Sequence, residues 1–273
     1  MMQSRPTILF VFAHPDDETF LAAGTMAVLR DQGWRVVVVS ATRGEEGEIA
    51  EGVPATRESL GDFREAELRA AMHVVGVEDV RFLGYRDSGM DGTPENDAPG
   101  AFMRVDTDEV GRRVLAIIDE IQPDITIGFG PEGIYLHPDH IAAHRGLKRA
   151  IELSAEESGH HQVKGLLFAS VPREWFTELW NIEGNPFAEM PFDVVQQMGV
   201  PASEITHSVN VLHHRDLIYQ ALMCHASQFG TGDPFDWLPS HLEEQFVGFD
   251  YFTVVPLPWN ENPELPEVFE SLP

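Results

Sequence analysis

The sequence predicts an α/β fold: a Rossmann-like, mostly parallel sheet with helices on both faces, followed by a C-terminal α+β extension. Three observations carry this prediction. Uninterrupted apolar runs occur at 7–13 (TILFVFA), 35–41 (RVVVVSA) and 124–129 (DITIGF), and such runs mark strands buried on both faces. Stretches of helical periodicity alternate with them, the strand–helix–strand order of a parallel sheet. Each run leads into a polar cluster, and open α/β sheets form their sites at the carboxyl ends of strands.

In chain order, the strand at 7–13 is followed by a helix over 18–32, which Gly33 stops. After the strand at 35–41, residues 61–75 carry apolar side chains at helical spacing, and 80–83 read as a short strand. An amphipathic helix spans 107–121 and ends before Pro123. The strand at 124–129 precedes a helix over 138–153, with Pro138 suited to its first turn. Past residue 165 the pattern changes: strands at 166–171 and 205–211, a helix over 212–229, and Pro- and Trp-rich loops between and after them. The expected division is a catalytic α/β domain at 1–160 and an extension at 161–273 packed on it, with residues 259–273 as a loose tail.

Composition narrows the function. The 273 residues include 45 acidic and 18 basic side chains, a formal net charge of −27, and Lys148 and Lys164 are the only lysines. Such a chain repels nucleic-acid phosphates and anionic membrane surfaces, so neither is expected as a partner. The apolar run 8–13 is too short for a membrane span or a signal-peptide core. One cysteine, Cys224, allows no intrachain disulfide. A cytoplasmic location is expected, and the sequence leaves a homo-oligomer open.

Two clusters carry the chemistry. Ala13-His14-Pro15-Asp16-Asp17-Glu18 follows the first strand. Imidazole beside carboxylates suits zinc and similar divalent ions, although HPDDE alone also fits a capped helix start. The second cluster, Tyr135-Leu136-His137-Pro138-Asp139-His140, again follows a buried strand, opens a helix and repeats His-Pro-Asp. Two such strand ends in one parallel sheet can converge on one ion. Three protein ligands with an open fourth position is the pattern of a catalytic metal.

With these residues the sequence resembles the LmbE-like (PIG-L) metal-dependent N-deacetylases, whose two hallmarks are the AHPDDE and HPDH boxes. The resemblance extends to TRGEEGE at 42–48, REAEL at 64–68, RDSGM at 86–90 and HASQ at 225–228. RDSGM looks most like the actinobacterial thiol-sugar branch, which includes the mycothiol-pathway deacetylase and the mycothiol conjugate amidase. The match is good over 6–150, is familiar again at 205–229, and is absent over 172–203.

The resemblance implies roles. His14, Asp17 and His140 match the family's metal ligands, and one Zn2+ per chain, or Fe2+ or another divalent ion, is the implied cofactor. Asp16 matches the general base. His137 matches the residue that faces the developing oxyanion and serves the leaving amine, and Asp139 the carboxylate that orients it. Tyr135 matches a tyrosine that polarises the amide carbonyl. Glu48, Arg64 and Asp87 match positions that hold sugar hydroxyls. The implied activity is removal of the N-acetyl group from a small N-acetylglucosaminyl compound. An amidase acting on a larger thiol-sugar conjugate is the nearest variant. A non-catalytic metal- or sugar-binding module is the rival from another class, and a metallophosphoesterase the rival enzyme. Elementary chemistry agrees with the hydrolase: a metal acidifies water, a carboxylate takes its proton, and cationic and hydrogen-bonding groups stabilise the oxyanion.

Other signals read as structural. Gly128 to Gly133 fits GxGxxG, but no helix opens on its glycines, as a dinucleotide site requires. His144 reads as a partly buried helix histidine, the pairs His160–His161 and His213–His214 as surface pairs, His225 as structural and Cys224 as a small core residue. Phe235, Trp237 and Phe246 are equal candidates for core and for pocket wall.

Overall fold

The computed structural model describes residues 5–185, 187–236 and 238–272; Trp237 lies outside them. The elements run β1 (Thr7–Phe12), α1 (Asp17–Asp31), β2 (Arg35–Ser40), α2 (Leu60–Val75), β3 (Asp79–Phe82), α3 (Thr107–Ile121) and β4 (Ile125–Phe129). A single turn, α4 (Gly133–Leu136), leads into α5 (Pro138–Glu156) and β5 (Gly165–Ser170). Then follow α6 (Arg173–Leu179), α7 (Phe192–Val195), β6 (His207–Asn210), α8 (Arg215–Leu222), α9 (Ala226–Phe229), α10 (Ser240–Phe246), β7 (Phe249–Val255) and β8 (Glu270–Ser271).

One eight-stranded sheet has the order β3-β2-β1-β4-β5-β7-β6-β8. The first five strands are parallel, and β7, β6 and β8 add antiparallel pairs. Every residue of β1, β4 and β5 is buried, as their uninterrupted apolar runs require. Helices α3 and α5 pack on each other, with α5 against β4, while α1, α2 and α8 form the second helical group. Strand order reverses between β1 and β4, because β2 and β3 lie to one side of β1 and β4 and β5 to the other. Their carboxyl ends part there and leave the crevice in which such folds place their sites.

Local signals account for most boundaries. Gly76, at φ 85°, caps α2 in the left-handed region, and the Asp106 carboxylate accepts from the amides of Asp108 and Glu109 at the start of α3. Two features of the C-terminal part differ from the sequence reading. The helix expected over 212–229 is broken into α8 and α9, with His225 between them. Part of the expected tail is paired: β8 bonds to β6 through His207–Ser271 and Ser208–Glu270. The strand β7, between β5 and β6, was not expected at all; its sequence FDYFTVV follows a loop-like Pro- and Trp-rich stretch, and long-range pairing makes it a strand. Cys224 is half-buried beside the core rather than within it.

Candidate metal centre

The site lies where β1 and β4 diverge. His14 and Asp17 stand at the junction of β1 and α1, and His137, Asp139 and His140 open α5. All five are buried. The His140 Nε2 lies 3.1 Å from Asp17 Oδ1 and 3.3 Å from His14 Nδ1, and His14 Nδ1 lies 3.6 Å from Asp17 Oδ2. Donor atoms on a tetrahedral zinc, each ~2.0–2.1 Å from the ion, are ~3.3 Å apart. The three residues therefore fit a divalent ion. His137 also brings a ring nitrogen within 4.8 Å of those of His14 and His140; the set containing Asp17 differs in supplying an anionic ligand.

Hydrogen bonds on the far side of each ring set the tautomers. His14 Nε2 lies 3.2 Å from Asp139 Oδ2 and His140 Nδ1 lies 3.1 Å from the Gly133 carbonyl. Each contact assigns a proton to the nitrogen facing away from Asp17. The lone pairs of His14 Nδ1 and His140 Nε2 are then free for a cation, the arrangement by which metal-binding histidines are oriented. Gly133, the last glycine of the GxGxxG match, thus serves through its carbonyl.

The electrostatics favour a cation as well. Burial opposes protonation of His14, but the carboxylates of Asp87, Asp139 and Asp17 outweigh it and hold the imidazole well above its ordinary value. Burial likewise opposes ionisation of Asp17, yet His140 and His14 hold it well below the usual carboxylate range. Asp139 Oδ1 is buried without a hydrogen-bond partner. A field that draws a proton onto His14 draws a divalent ion more strongly.

Asp16 adjoins this seat in a strained conformation, φ 117° and ψ −32°, which costs a non-glycine residue ~1–3 kcal/mol. Its carboxylate is 18% exposed and lies 3.0 Å from Arg64 Nη2. Burial pushes its pKa up, Arg64 pulls it down and Asp17 pushes it up, leaving it raised to about 6. Arg64 is buried and also donates to the carbonyls of Pro15 (2.6 Å) and Gly44 (2.9 Å). The loop after β2 accommodates it through glycine: a Cβ on Gly44 or Gly47 would sit 2.2 or 2.4 Å from its Nη1.

The His137 ring caps α5: its Nδ1 accepts from the Asp139 amide at 3.1 Å. In the neutral ring the proton is then on Nε2. Burial, reinforced by the imidazoles of His14 and His140, pushes His137 down to about 2, so it is a neutral donor. The Asp139 carboxylate, expected at His137, accepts instead from the Ser88 amide at 2.9 Å and faces His14. The Tyr135 ring stands edge-on to His137 and His140, with centroids 5.7 and 4.9 Å away, and burial raises its phenol above the ordinary value.

Asp87 is buried, 3.6 Å from His14 Nε2, and accepts from the amides of Gly89 and Glu46. Burial opposes its ionisation, and His14 holds it well below the usual carboxylate range. Glu48 is exposed on the loop after β2, and Gln228 donates to its carbonyl. A cavity of about 440 Å³ opens beside Tyr135, lined by Met90, Met103, Leu136, Ile141, Met190 and Val194, with Asp91 and Arg145 as its charged groups. Met190 and Val194 come from the stretch 172–203, which the sequence left without a role. A second cavity, about 540 Å³, lies by Tyr85, Arg104 and Arg113, away from both His-Pro-Asp clusters.

Outside the site, His144 is buried and bonded to the Phe129 carbonyl. His160 pairs with Asp119 and Glu157. The His213 and His214 rings lie 4.1 Å apart. Glu18 and His225 meet in the buried interior behind Asp16, a pairing that no sequence signal indicated. No helix among the described residues is long and apolar enough to cross a membrane.

Residues 9–151 match the model of the family described as PIG-L, GlcNAc-PI de-N-acetylase. The chain is 35% identical over 270 residues to a 1D-myo-inositol 2-acetamido-2-deoxy-alpha-D-glucopyranoside deacetylase of Geodermatophilus obscurus, covering 91% of each chain. It is 36% identical over 266 residues to the enzyme of the same description from Thermomonospora curvata, covering 91% of this chain and 90% of that one. Among solved structures it resembles N,N'-diacetylchitobiose deacetylase from Pyrococcus horikoshii, with a TM-score of 0.63, 20% identity, and 93% and 85% of the two chains covered. That last likeness supports the fold.

Proposed function

The chain belongs to the PIG-L, or GlcNAc-PI de-N-acetylase, family, and from that membership we propose that it is a metal-dependent N-deacetylase. It hydrolyses the acetamide of an N-acetylglucosaminyl compound, with a glucosaminyl inositol, as in its relatives' names, the first substrate to test. The observation that carries the reading is the convergence of His14 Nδ1, His140 Nε2 and the Asp17 carboxylate beside Asp16.

His14, Asp17 and His140 hold the ion, and zinc suits their mixed nitrogen and oxygen donors and near-tetrahedral spacing. When bound, the ion supplies a Lewis acid that acidifies water and polarises the amide carbonyl. Asp16 takes the proton of the attacking water and later returns it to the leaving amine, and burial, which raises its carboxyl, strengthens it as a base. The neutral His137 donates from Nε2 toward the oxygen that gains charge, and the Tyr135 hydroxyl adds a second donor. Asp139 holds the His14 tautomer. Glu48, Arg64 and Asp87 form the sugar-facing edge, where carboxylates accept from hydroxyls and the guanidinium donates. A cytoplasmic location belongs to the same reading.

The test is amine release from N-acetylglucosaminyl inositol and simpler N-acetylglucosaminides, with a chromogenic phosphate ester in parallel, and elemental analysis of the protein. About one divalent ion per chain and amine release, lost together in His14→Ala, Asp17→Ala and His140→Ala, are expected. Full metal content in all three variants overturns the ligand assignment, and phosphate-ester turnover without amine release overturns the deacetylase.

A further inference from the structure

Glu18 and His225 are titratable, lie 207 positions apart in the chain, and have no part in the chemistry above. Both are almost completely buried, at 1% and 0% exposure. A buried carboxylate and imidazole persist only where each is hydrogen-bonded. His225 Nε2 lies 3.1 Å from Glu18 Oε1 and 3.1 Å from Thr19 Oγ1. The second oxygen of the same carboxylate, Oε2, accepts the main-chain N–H of Asp16 at 3.0 Å. Glu18 therefore bridges the interior to a residue of the site with a strained backbone, Asp16 at φ 117°.

The residues after His225 hold the neighbouring elements. Ser227 donates from its amide (2.7 Å) and hydroxyl (2.6 Å) to the Glu67 carboxylate on α2, one turn beyond Arg64. Gln228 donates to the Glu48 carbonyl at 2.9 Å, and the Ala50 amide donates to the Ser227 carbonyl. His225, in the break between α8 and α9, and Ser227 and Gln228, in α9, thus make contacts at the back of the site: to Asp16 through Glu18, to the helix of Arg64, and to the loop of Glu48.

We propose that Glu18 and His225 are a positioning pair that holds the Asp16 backbone, and with it the Asp16 carboxylate, in the geometry the reaction requires. A strained residue relaxes unless its surroundings over-determine it. Glu18 fixes its N–H and Arg64 fixes its carboxylate. His225, together with the Thr19 hydroxyl that donates to the same atom at 2.5 Å, holds the Glu18 carboxylate in place by occupying its other oxygen. Misplacing a reacting group by about 1 Å costs ~100-fold in rate. The proposal rests on the reading of Asp16 as the base, and its test separates the two.

The experiment measures kcat, KM, metal content and thermal stability for Glu18→Ala, Glu18→Gln and His225→Leu, each alone and combined with Asp16→Asn. Glu18→Ala is expected to lower kcat ~100-fold with KM within ~threefold and metal retained. Glu18→Gln, which keeps an acceptor for the Asp16 amide, recovers to within ~tenfold of the parent. His225→Leu costs ~tenfold. In the Asp16→Asn background each substitution costs less than ~threefold more, because residues acting through one group are non-additive. Losses that multiply fully in that background overturn the positioning role and leave the base assignment standing. Near-parental kcat in Asp16→Asn alone overturns the base assignment and the proposal with it. Hydrogen exchange of the Asp16 amide gives a readout independent of turnover: it accelerates at least ~tenfold in Glu18→Ala and ~threefold in His225→Leu, and unchanged protection in both overturns the proposal. Should Glu18→Ala fail to fold, His225→Leu and Glu18→Gln carry the same comparison.

Discussion

The carboxylate of Asp139 serves His14: its Oδ2 lies 3.2 Å from His14 Nε2, whereas only its main-chain N–H reaches His137 Nδ1, at 3.1 Å. One residue thereby sets two imidazoles. The side chain fixes the tautomer that frees His14 Nδ1 for an ion, and the amide fixes the one that leaves the His137 proton on Nε2. The Ser88 amide, which also donates to Asp139 Oδ2, keeps that carboxylate from turning away.

Asp139→Asn therefore weakens metal binding by ~10–100-fold while every ligand remains, the usual effect of losing a ligand's hydrogen-bond partner. Competition with a fluorescent chelator measures it. Unchanged affinity, with kcat alone reduced, places the Asp139 carboxylate at His137 instead.

The Asp16 carboxylate fixes the acid limb of the pH–rate profile. A base works only when ionised, so activity falls as pH drops through its pKa, which burial raises and Arg64 lowers, to about 6. The cation at the seat lowers that limb further. Arg64→Ala removes the lowering charge and moves the limb to higher pH, and Asp16→Asn loses roughly two to four orders of magnitude in kcat. Profiles of kcat/KM for parent and Arg64→Ala decide this, and an unmoved limb assigns it to another group.

Sugar recognition predicts that Asp87→Ala and Arg64→Ala each lower kcat/KM on N-acetylglucosaminides by about ten- to a hundredfold, as lost charge-assisted hydrogen bonds cost ~1.5–3 kcal/mol. A simple N-acetyl amine without the ring is the control. Arg64→Ala adds a loss common to both substrates through its contact with Asp16, so Asp87→Ala decides: equal losses on both substrates, or a fall in melting temperature, mean that Asp87 holds loops together.

Asp250 in β7 gives a stability signature remote from the metal. Its Oδ2 accepts from the Thr25 amide and hydroxyl, at 2.7 and 2.6 Å, but burial dominates and raises its pKa from 3.8 to about 7. The folded state thus binds this proton more tightly than the unfolded chain. Its contribution is complete below about pH 4 and is lost as pH rises through about 7. Asp250→Asn removes that dependence. Its melting temperature gains on the parent between pH 5 and 8, and parallel curves for the two proteins refute the assignment.

The sequence by itself determined the parallel half of the fold and the two His-Pro-Asp clusters that meet in one buried His/Asp site. Uninterrupted apolar runs can only be strands covered on both faces, and two His-Pro-Asp clusters after such runs must fall on one sheet edge. The helix over 107–121 was legible to the residue because its apolar stripe and terminal Pro123 agree. Tertiary structure alone decided the rest. Strand β7 forms because β5 and β6 offer it partners on both sides, and such pairing leaves little mark on local sequence. The choice of partner for Asp139 depended on rings 125 positions away. The break after α8 puts His225 against Glu18, 207 residues earlier. Periodicity reports which face of an element is buried; it carries no information about which polar group waits on the other side, and that is settled only when distant segments meet in a space with no water to satisfy them.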